Sequence, residues 1–242
     1  MNKLSLILVF LISFNLYGND SLFVSANSDY ANQEYNTAIK KYNLILSSNL
    51  ESPELYYNLA NSFFKINEIH QAIYYYEKAL KIKPDFDDAK ENLEICNLQL
   101  IDKIEEIPEL MITSLYNNII NFLSLKNWIY LTLIFIWVSL IIFSYNSFVK
   151  KNKKSVFYLV IFSFFLFFIT TKKYNQNINV KEAIIYSSVI NVMSAPSEQS
   201  TNLFSLHIGT KVKIEDQIEN WVNIRIANGK KGWVLIENLK EI

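Results

Sequence analysis

The spacing of apolar residues changes along this chain, and each change marks a different kind of element. Leu4 to Leu16 is almost wholly apolar, broken by Ser5, Ser13 and Asn15. From residue 20 to about 105, apolar positions recur at helical spacing and no glycine falls between Asn19 and Ile107, so a series of helices is expected. Two longer runs come next, Trp128 to Tyr145 and Ser155 to Thr171, neither carrying a charge. Beyond Lys173 the period shortens. Ala183–Tyr186, Val189–Met193, Lys211–Ile214, Trp221–Ile226 and Gly232–Val234 read as short strands. Ala195-Pro196-Ser197, Ile208-Gly209-Thr210 and residues 227–230 supply turns, with Asn228-Gly229 a strong hairpin signal. About 60 residues of such strands suggest a small antiparallel barrel.

The two central runs decide the class of protein. Each is long enough, or nearly so, to cross a hydrocarbon core of about 30 Å at about 1.5 Å per residue. A central charge would cost about 2.5–3.5 kcal/mol on insertion, so its absence from both runs is informative. The alternative, a pair of buried core helices, would show a polar stripe, and neither run shows one. Composition agrees, since 51% hydrophobic and 15% aromatic residues is apolar for a soluble chain. A transmembrane hairpin is expected, with spans at 127–147 and 155–172 joined by a loop at 148–154. Lys150, Lys151, Lys153 and Lys154 crowd that loop, and short-loop lysines favour the cytoplasm. Both flanking regions are then outside. Trp128, Tyr130, Tyr145 and Tyr158 fall near the interfaces, where amphipathic rings are favoured. The N-terminal segment gives the same orientation independently. Its apolar run of roughly 13 residues is short for a span but suits a signal peptide over residues 1–18, after Lys3 and ending at Gly18. Leu16 stands where a small residue is preferred, so an uncleaved anchor is the alternative. Either one exports the region from residue 19 onward.

Residues 19–106 contain an internal repeat. Ala26-Asn27-Ser28 recurs as Ala60-Asn61-Ser62, and Ala38 recurs as Ala72. The offset matches the period of about 34 residues of tetratricopeptide repeats. The second copy carries Tyr56, Leu59, Ala60, Phe63, Ala72, Tyr76, Ala79 and Pro84, and on these residues the region resembles the tetratricopeptide repeat (TPR) family. Small residues let paired helices approach and large ones fill the space around them. Pro84 ends the second helix. The first copy keeps Ala26, Ala38 and Tyr42 but has Ile45 at the third small position and Leu50 in place of the proline. Residues 85 to about 105 suit a capping helix. The resemblance implies a concave face that binds peptides or partner helices, lined by Asn27, Tyr30, Tyr57, Asn61, Phe64 and Lys65. A carboxylate clamp is not expected. Asn27 and Asn58 match two asparagine positions of such clamps, but Phe23, Asp88 and Asn92 stand where cations are needed. The asparagines equally suit a helix face without a ligand.

Pro108 separates this module from residues 107–126, where Leu110, Met111, Leu115, Ile119, Ile120, Phe122 and Leu123 recur at helical spacing. An amphipathic helix lying at the membrane interface and a continuation of the solenoid cap both fit. At the other end, the matching residues are Asn191-Val192-Met193-Ser194-Ala195-Pro196, Gly209, Trp221-Val222 and Asn228-Gly229-Lys230-Lys231-Gly232-Trp233-Val234. On these, residues 176–242 resemble the bacterial SH3-like (SH3b) family, which usually has arginine where Met193 stands. The resemblance implies binding of cell-wall peptides or protein ligands, with Asn191, Ser194, Trp221 and Trp233 as candidate contacts. Core and barrel-rim packing is the alternative for the two tryptophans.

The order signal, TPR, two spans, SH3b resembles the BatE family of the bacterial aerotolerance operon over essentially the whole chain. That resemblance implies company with membrane proteins bearing von Willebrand A domains and with a MoxR-type AAA+ ATPase. The remaining chemistry narrows the field by exclusion. Formal net charge is zero, with 23 basic and 23 acidic residues, so no basic face for nucleic acid is expected. Cys96 is the single cysteine and suits a small buried apolar position. His70 and His207 lie in different modules, and no metal-ligand spacing, phosphate-cradling loop or nucleophile–base arrangement is visible. The expected protein is therefore a non-enzyme without cofactors. Its fold is a multidomain membrane architecture: an all-α TPR solenoid, a two-helix transmembrane hairpin and an all-β SH3-like small barrel. It would sit in the cytoplasmic membrane with both modules outside, scaffolding protein or peptide partners. The alternative is a peptidoglycan-binding sensor.

Overall fold

The computed structural model describes residues 21–105, 111–149, 154–179 and 181–242. The signal segment and Lys150, Lys151 and Lys153 of the lysine loop lie outside the described residues.

The solenoid is built from α1 (residues 21–31), α2 (Tyr35–Ser47), α3 (Pro53–Lys65), α4 (Ile69–Ile82) and α5 (Asp87–Asn97). Each repeat turns from its first to its second helix through one left-handed residue, Gln33 with φ 65° and Asn67 with φ 64°. Ser52 caps α3, accepting from the Leu55 N–H at 3.0 Å, and Pro53 sits in the first turn, where a missing N–H leaves nothing unpaired. α4 stops at Ile82, just short of Pro84. Ala26, Ala38, Ala60, Ala72 and Ala79 are completely buried, and Tyr42 and Tyr76 fill the space they leave. Phe63 and Tyr75 pack against the clusters of both repeats, making one continuous core. Ala89, Leu93 and Cys96 of α5 close its end. Burial pushes the Cys96 thiol up to about 11, so it acts as packing rather than as a thiolate.

The middle of the chain forms α6 (Met111–Asn121), α7 (Leu125–Phe148) and α8 (Lys154–Asn179). Both α7 and α8 are long and apolar enough to cross a membrane. Their outer faces are not covered by the rest of the described protein: Trp137 is 64% exposed and Phe164 is 72% exposed. The facing sides are different. Thr132, Ser139 and Asn146, spaced by seven residues, are buried along the seam of the hairpin. The Thr132 and Thr170 hydroxyls lie 2.8 Å apart, and those of Ser139 and Ser163 lie 3.3 Å apart. The expectation that neither run carries a polar stripe is thus corrected. A stripe exists, narrow and small, and it is turned toward the partner helix. Thr132, Ser139 and Ser163 also bond the carbonyls of Trp128, Phe135 and Leu159 on their own helices. Small hydroxyls here allow close approach of the two backbones. Ser139→Leu is expected to wedge the helices apart at a cost of about 1–3 kcal/mol, typical of overpacking. A rise in hydrogen exchange around residues 139 and 163 in detergent would show it, and unchanged exchange would refute the seam.

α6 lies against the end of this hairpin. Ile120 is buried with Trp128, Leu166 and Ile169. The Trp128 indole N–H donates to the Ile120 carbonyl at 3.0 Å, and Lys173 donates to Asn121 Oδ1 at 2.8 Å. Trp128 therefore faces this junction, not outward as an interfacial anchor would. The other face of α6 leaves Met111 and Ile112 exposed, as is Phe122 just past its end.

The C-terminal strands are β1 (Lys181–Ile185), β2 (Val189–Met193), β3 (Asn202–His207), β4 (Lys211–Ile218), β5 (Trp221–Arg225), β6 (Lys231–Leu235) and β7 (Leu239–Glu241). They form one antiparallel sheet in the order β3-β2-β6-β5-β4-β1-β7. Val192, Val212, Val222, Ile224 and Val234 point inward. Sequence periodicity missed β3 and β7, the two edge strands. In β3 the apolar Leu203 is exposed, so burial does not follow the apolar pattern. At Gly232 a Cβ would meet Val192 Cγ1 at 2.5 Å, so the approach of β6 to β2 requires glycine.

Candidate functional site

The barrel and the solenoid pack directly on one another, and this contact sets which surfaces remain available. Ile184 of β1 and Ile242 are buried within the cluster of Ala72, Ile73, Tyr76, Leu93 and Cys96. After α5, the chain runs along the barrel. Leu100 lies over Gly209, whose φ of +92° favours glycine. Ile104 packs against the barrel core.

Polar groups fasten the same seam. One carboxylate, Asp102, takes three donors: the His207 backbone N–H at 2.7 Å, the Thr210 hydroxyl at 2.6 Å and the His207 ring Nδ1 at 2.7 Å. Burial alone would raise the Asp102 pKa, but these donors outweigh it and hold the carboxyl below its ordinary value. Lys211 bridges Glu77 of α4 at 2.8 Å and Glu182 of β1 at 2.9 Å. Burial disfavours its charge, yet the two carboxylates prevail and its pKa is raised. Lys240 of β7 sits over Tyr74 at 4.1 Å, Tyr186 at 4.9 Å and Tyr75 at 5.5 Å, a cation held by ring faces. Gln71 donates to the Tyr186 hydroxyl. The solenoid side of these polar contacts comes from α4 and from the segment after α5. None comes from α1 or α3, the helices expected to line the recognition face.

On that face the six candidate residues divide. Asn27 Oδ1 accepts from the Tyr42 hydroxyl at 2.6 Å and from Asn58 Nδ2 at 2.9 Å. One repeat later, Asn61 Oδ1 accepts from the Tyr76 hydroxyl and from Asn92 Nδ2 at 3.0 Å. The same three-residue link, a central asparagine oxygen accepting from a tyrosine and a second asparagine, thus joins α1 to α2 and α3, then α3 to α4 and α5. Burial pushes the Tyr42 phenol up to about 12, so this hydroxyl remains a donor at neutral pH. Tyr57 packs its ring on Phe86 at 4.9 Å, and Tyr30 meets the edge of Tyr35 at 5.3 Å. Phe64 is half-buried, and Lys65 is exposed.

On the barrel, Asn191 and Trp221 come together in a shallow cleft of about 320 Å³ with Met193, Glu198, Leu235 and Asn238. Ser194 and Trp233 do not line it. Trp233 stands on the same sheet face beside it, paired with Met193 on one side and Asn223 on the other. Both tryptophans are half-buried. Asn223 is a residue that sequence reasoning missed. Its Oδ1 is buried and has no hydrogen-bond partner among the described residues. Strand register is the signal that finds it, since residues 221, 223 and 225 share a face. Among the described residues, no group of three His, Cys, Asp or Glu side chains could hold a metal ion.

Comparison with known families agrees with both modules. Residues 53–86 match the tetratricopeptide repeat model, and residues 188–240 match the bacterial SH3 domain model. A comparison with curated proteins finds no match. The chain thus joins a tetratricopeptide repeat and a bacterial SH3 domain to two helices able to cross a membrane. These are binding modules, and no enzyme family is indicated.

Proposed function

We propose that this protein is a membrane-anchored, non-catalytic scaffold of the cytoplasmic membrane, carrying its TPR and SH3b modules on the outer side. The supporting observation is the packing of two recognition modules into one body beside an apolar hairpin. The polar contacts between them use α4 and the chain after α5, and leave Lys65 and the Trp221 cleft open. The partners are protein or peptide ligands. Likeness to the BatE family suggests von Willebrand A domain membrane proteins within an aerotolerance-type complex that includes a MoxR-type ATPase. The test is crosslinking in native membranes followed by capture of the detergent-solubilised full chain. A protein partner should be recovered, and Trp221→Ala should reduce its yield by about tenfold, as for an interface hot spot worth about 1.4 kcal/mol. Recovery of no stable protein partner sinks the proposal. Reporter fusions at Leu100, Asn152 and Ile242 should read outside, inside, outside. An inward Ile242 overturns the orientation.

The second reading is peptidoglycan binding. Two half-exposed indoles on paired strands favour it, because sugars stack their flat apolar faces on aromatic rings. Co-sedimentation of the full solubilised chain with purified peptidoglycan tests it, and absence of co-sedimentation discards it. An isolated 176–242 fragment is a poor probe, since it would uncover Ile184 and Ile242.

A further inference from the structure

The end of α4 and the start of α7 enclose a cleft of about 680 Å³ whose walls are of two kinds. Lys81, Lys83 and Lys126 line it, with one acidic residue, Asp85. Neither Lys83 nor Lys126 takes part in the salt bridges found among the described residues. Lys83 lies over the Phe86 ring at 4.7 Å and Lys126 over the Tyr130 ring at 5.9 Å. Ring faces hold these cations in place without cancelling their charge. Lys81 differs, because its ammonium is already held by the main-chain oxygen of Ile242 at 2.6 Å. The other wall is apolar, with Leu125, Ile129 and Tyr130 of α7.

That apolar wall does not stop at the cleft. Ile129, Leu133 and Ile136 follow one another at helical spacing and are all exposed. They continue the wall down α7 along the face that would meet lipid tails. The depth is also right. The 24 residues of α7 span about 36 Å, against a hydrocarbon core of about 30 Å. A span of that length is long enough to carry its first turn into the phosphate layer. A soluble anion would use the lysines and leave the apolar track empty, whereas an amphiphile uses both.

We propose that this cleft binds the headgroup of an anionic phospholipid, with the phosphate between Lys83 and Lys126 and an acyl chain along Ile129, Leu133 and Ile136. This rests on α7 being a membrane span. Native mass spectrometry of the full chain released from nanodiscs of equal phosphatidylglycerol and phosphatidylcholine tests it. Incorporation into the discs reports the span, and the lipid retained reports the cleft, so the two can fail separately. Phosphatidylglycerol should be retained preferentially. The preference should fall about fivefold for each lysine removed in Lys83→Gln and Lys126→Gln, with unchanged circular dichroism. Equal retention of the two lipids overturns the proposal, as does a preference unaltered in the folded double variant. Displacement of the lipid by inorganic phosphate or an acidic peptide overturns it as well, reassigning the lysines to a soluble ligand.

Discussion

Asp102→Ala is expected to release the SH3b barrel from the solenoid. The substitution deletes an acceptor of three hydrogen bonds and leaves the His207 N–H and the Thr210 hydroxyl unpaired at a seam where the Asp102 side chain is only 12% exposed. Hydrogen bonds to a charged group contribute about 1.5–3 kcal/mol each and are not additive, so a loss of about 3 kcal/mol of docking is expected. Hydrogen exchange should rise at residues 207–211 and along α4, and thermal unfolding should split into separate transitions for the two modules. A single unchanged transition contradicts a shared body. The sign of the pH dependence follows from the depressed carboxyl. A group with a lowered folded pKa contributes stability above its unfolded value, here near 3.8, and loses it as pH falls through the folded value. The parent should therefore loosen in acid below about that pH. Asp102→Ala should lack that step.

The seam gives the docking a functional consequence. Lys211, Lys240 and Asp102 fix the barrel by charge, and Ile184 and Ile242 fix it by burial. A ligand spanning both modules would then meet surfaces already at a set spacing, with less ordering entropy to lose on binding. Two modules on flexible tethers would lack that advantage.

Much of this was legible in the sequence, for physical reasons that differ by element. The hairpin was readable because an uncharged run of that length has few other uses, and the second repeat because Ala60, Ala72, Tyr76 and Pro84 keep the family spacing. β3 and β7 were not readable. An edge strand pairs on one side only, and Leu203 turns its apolar surface to solvent. The polar stripe was hidden because Thr132, Ser139 and Asn146 are too sparse to break an apolar run, although their seven-residue spacing was present. The module seam was the least legible part. Asp102 and His207 lie 105 positions apart, and no local pattern pairs them. For the same reason Asn27 and Asn61 read as surface residues. Only the fold shows that each is tied to a tyrosine 15 positions later.

Asn61→Ala should accordingly act first on stability. It removes the acceptor of the Tyr76 hydroxyl and of Asn92, and Tyr76 is completely buried. An unsatisfied buried hydroxyl costs about 1–3 kcal/mol, and the truncated side chain leaves unfilled space besides, so about 3 kcal/mol in total is expected. Tyr76→Phe removes the same bond but leaves Asn61 with Asn92, and should cost about 1 kcal/mol. The double variant should be less destabilised than the sum of the singles, since a ring without its hydroxyl no longer needs a partner. Denaturant unfolding of the four proteins measures this coupling, and strict additivity would falsify the link. The binding role of the face must be judged elsewhere. Lys65 is exposed and carries none of these hydrogen bonds. Lys65→Glu should leave the unfolding midpoint in place, so any partner lost on that substitution is lost from the recognition surface, not from the fold.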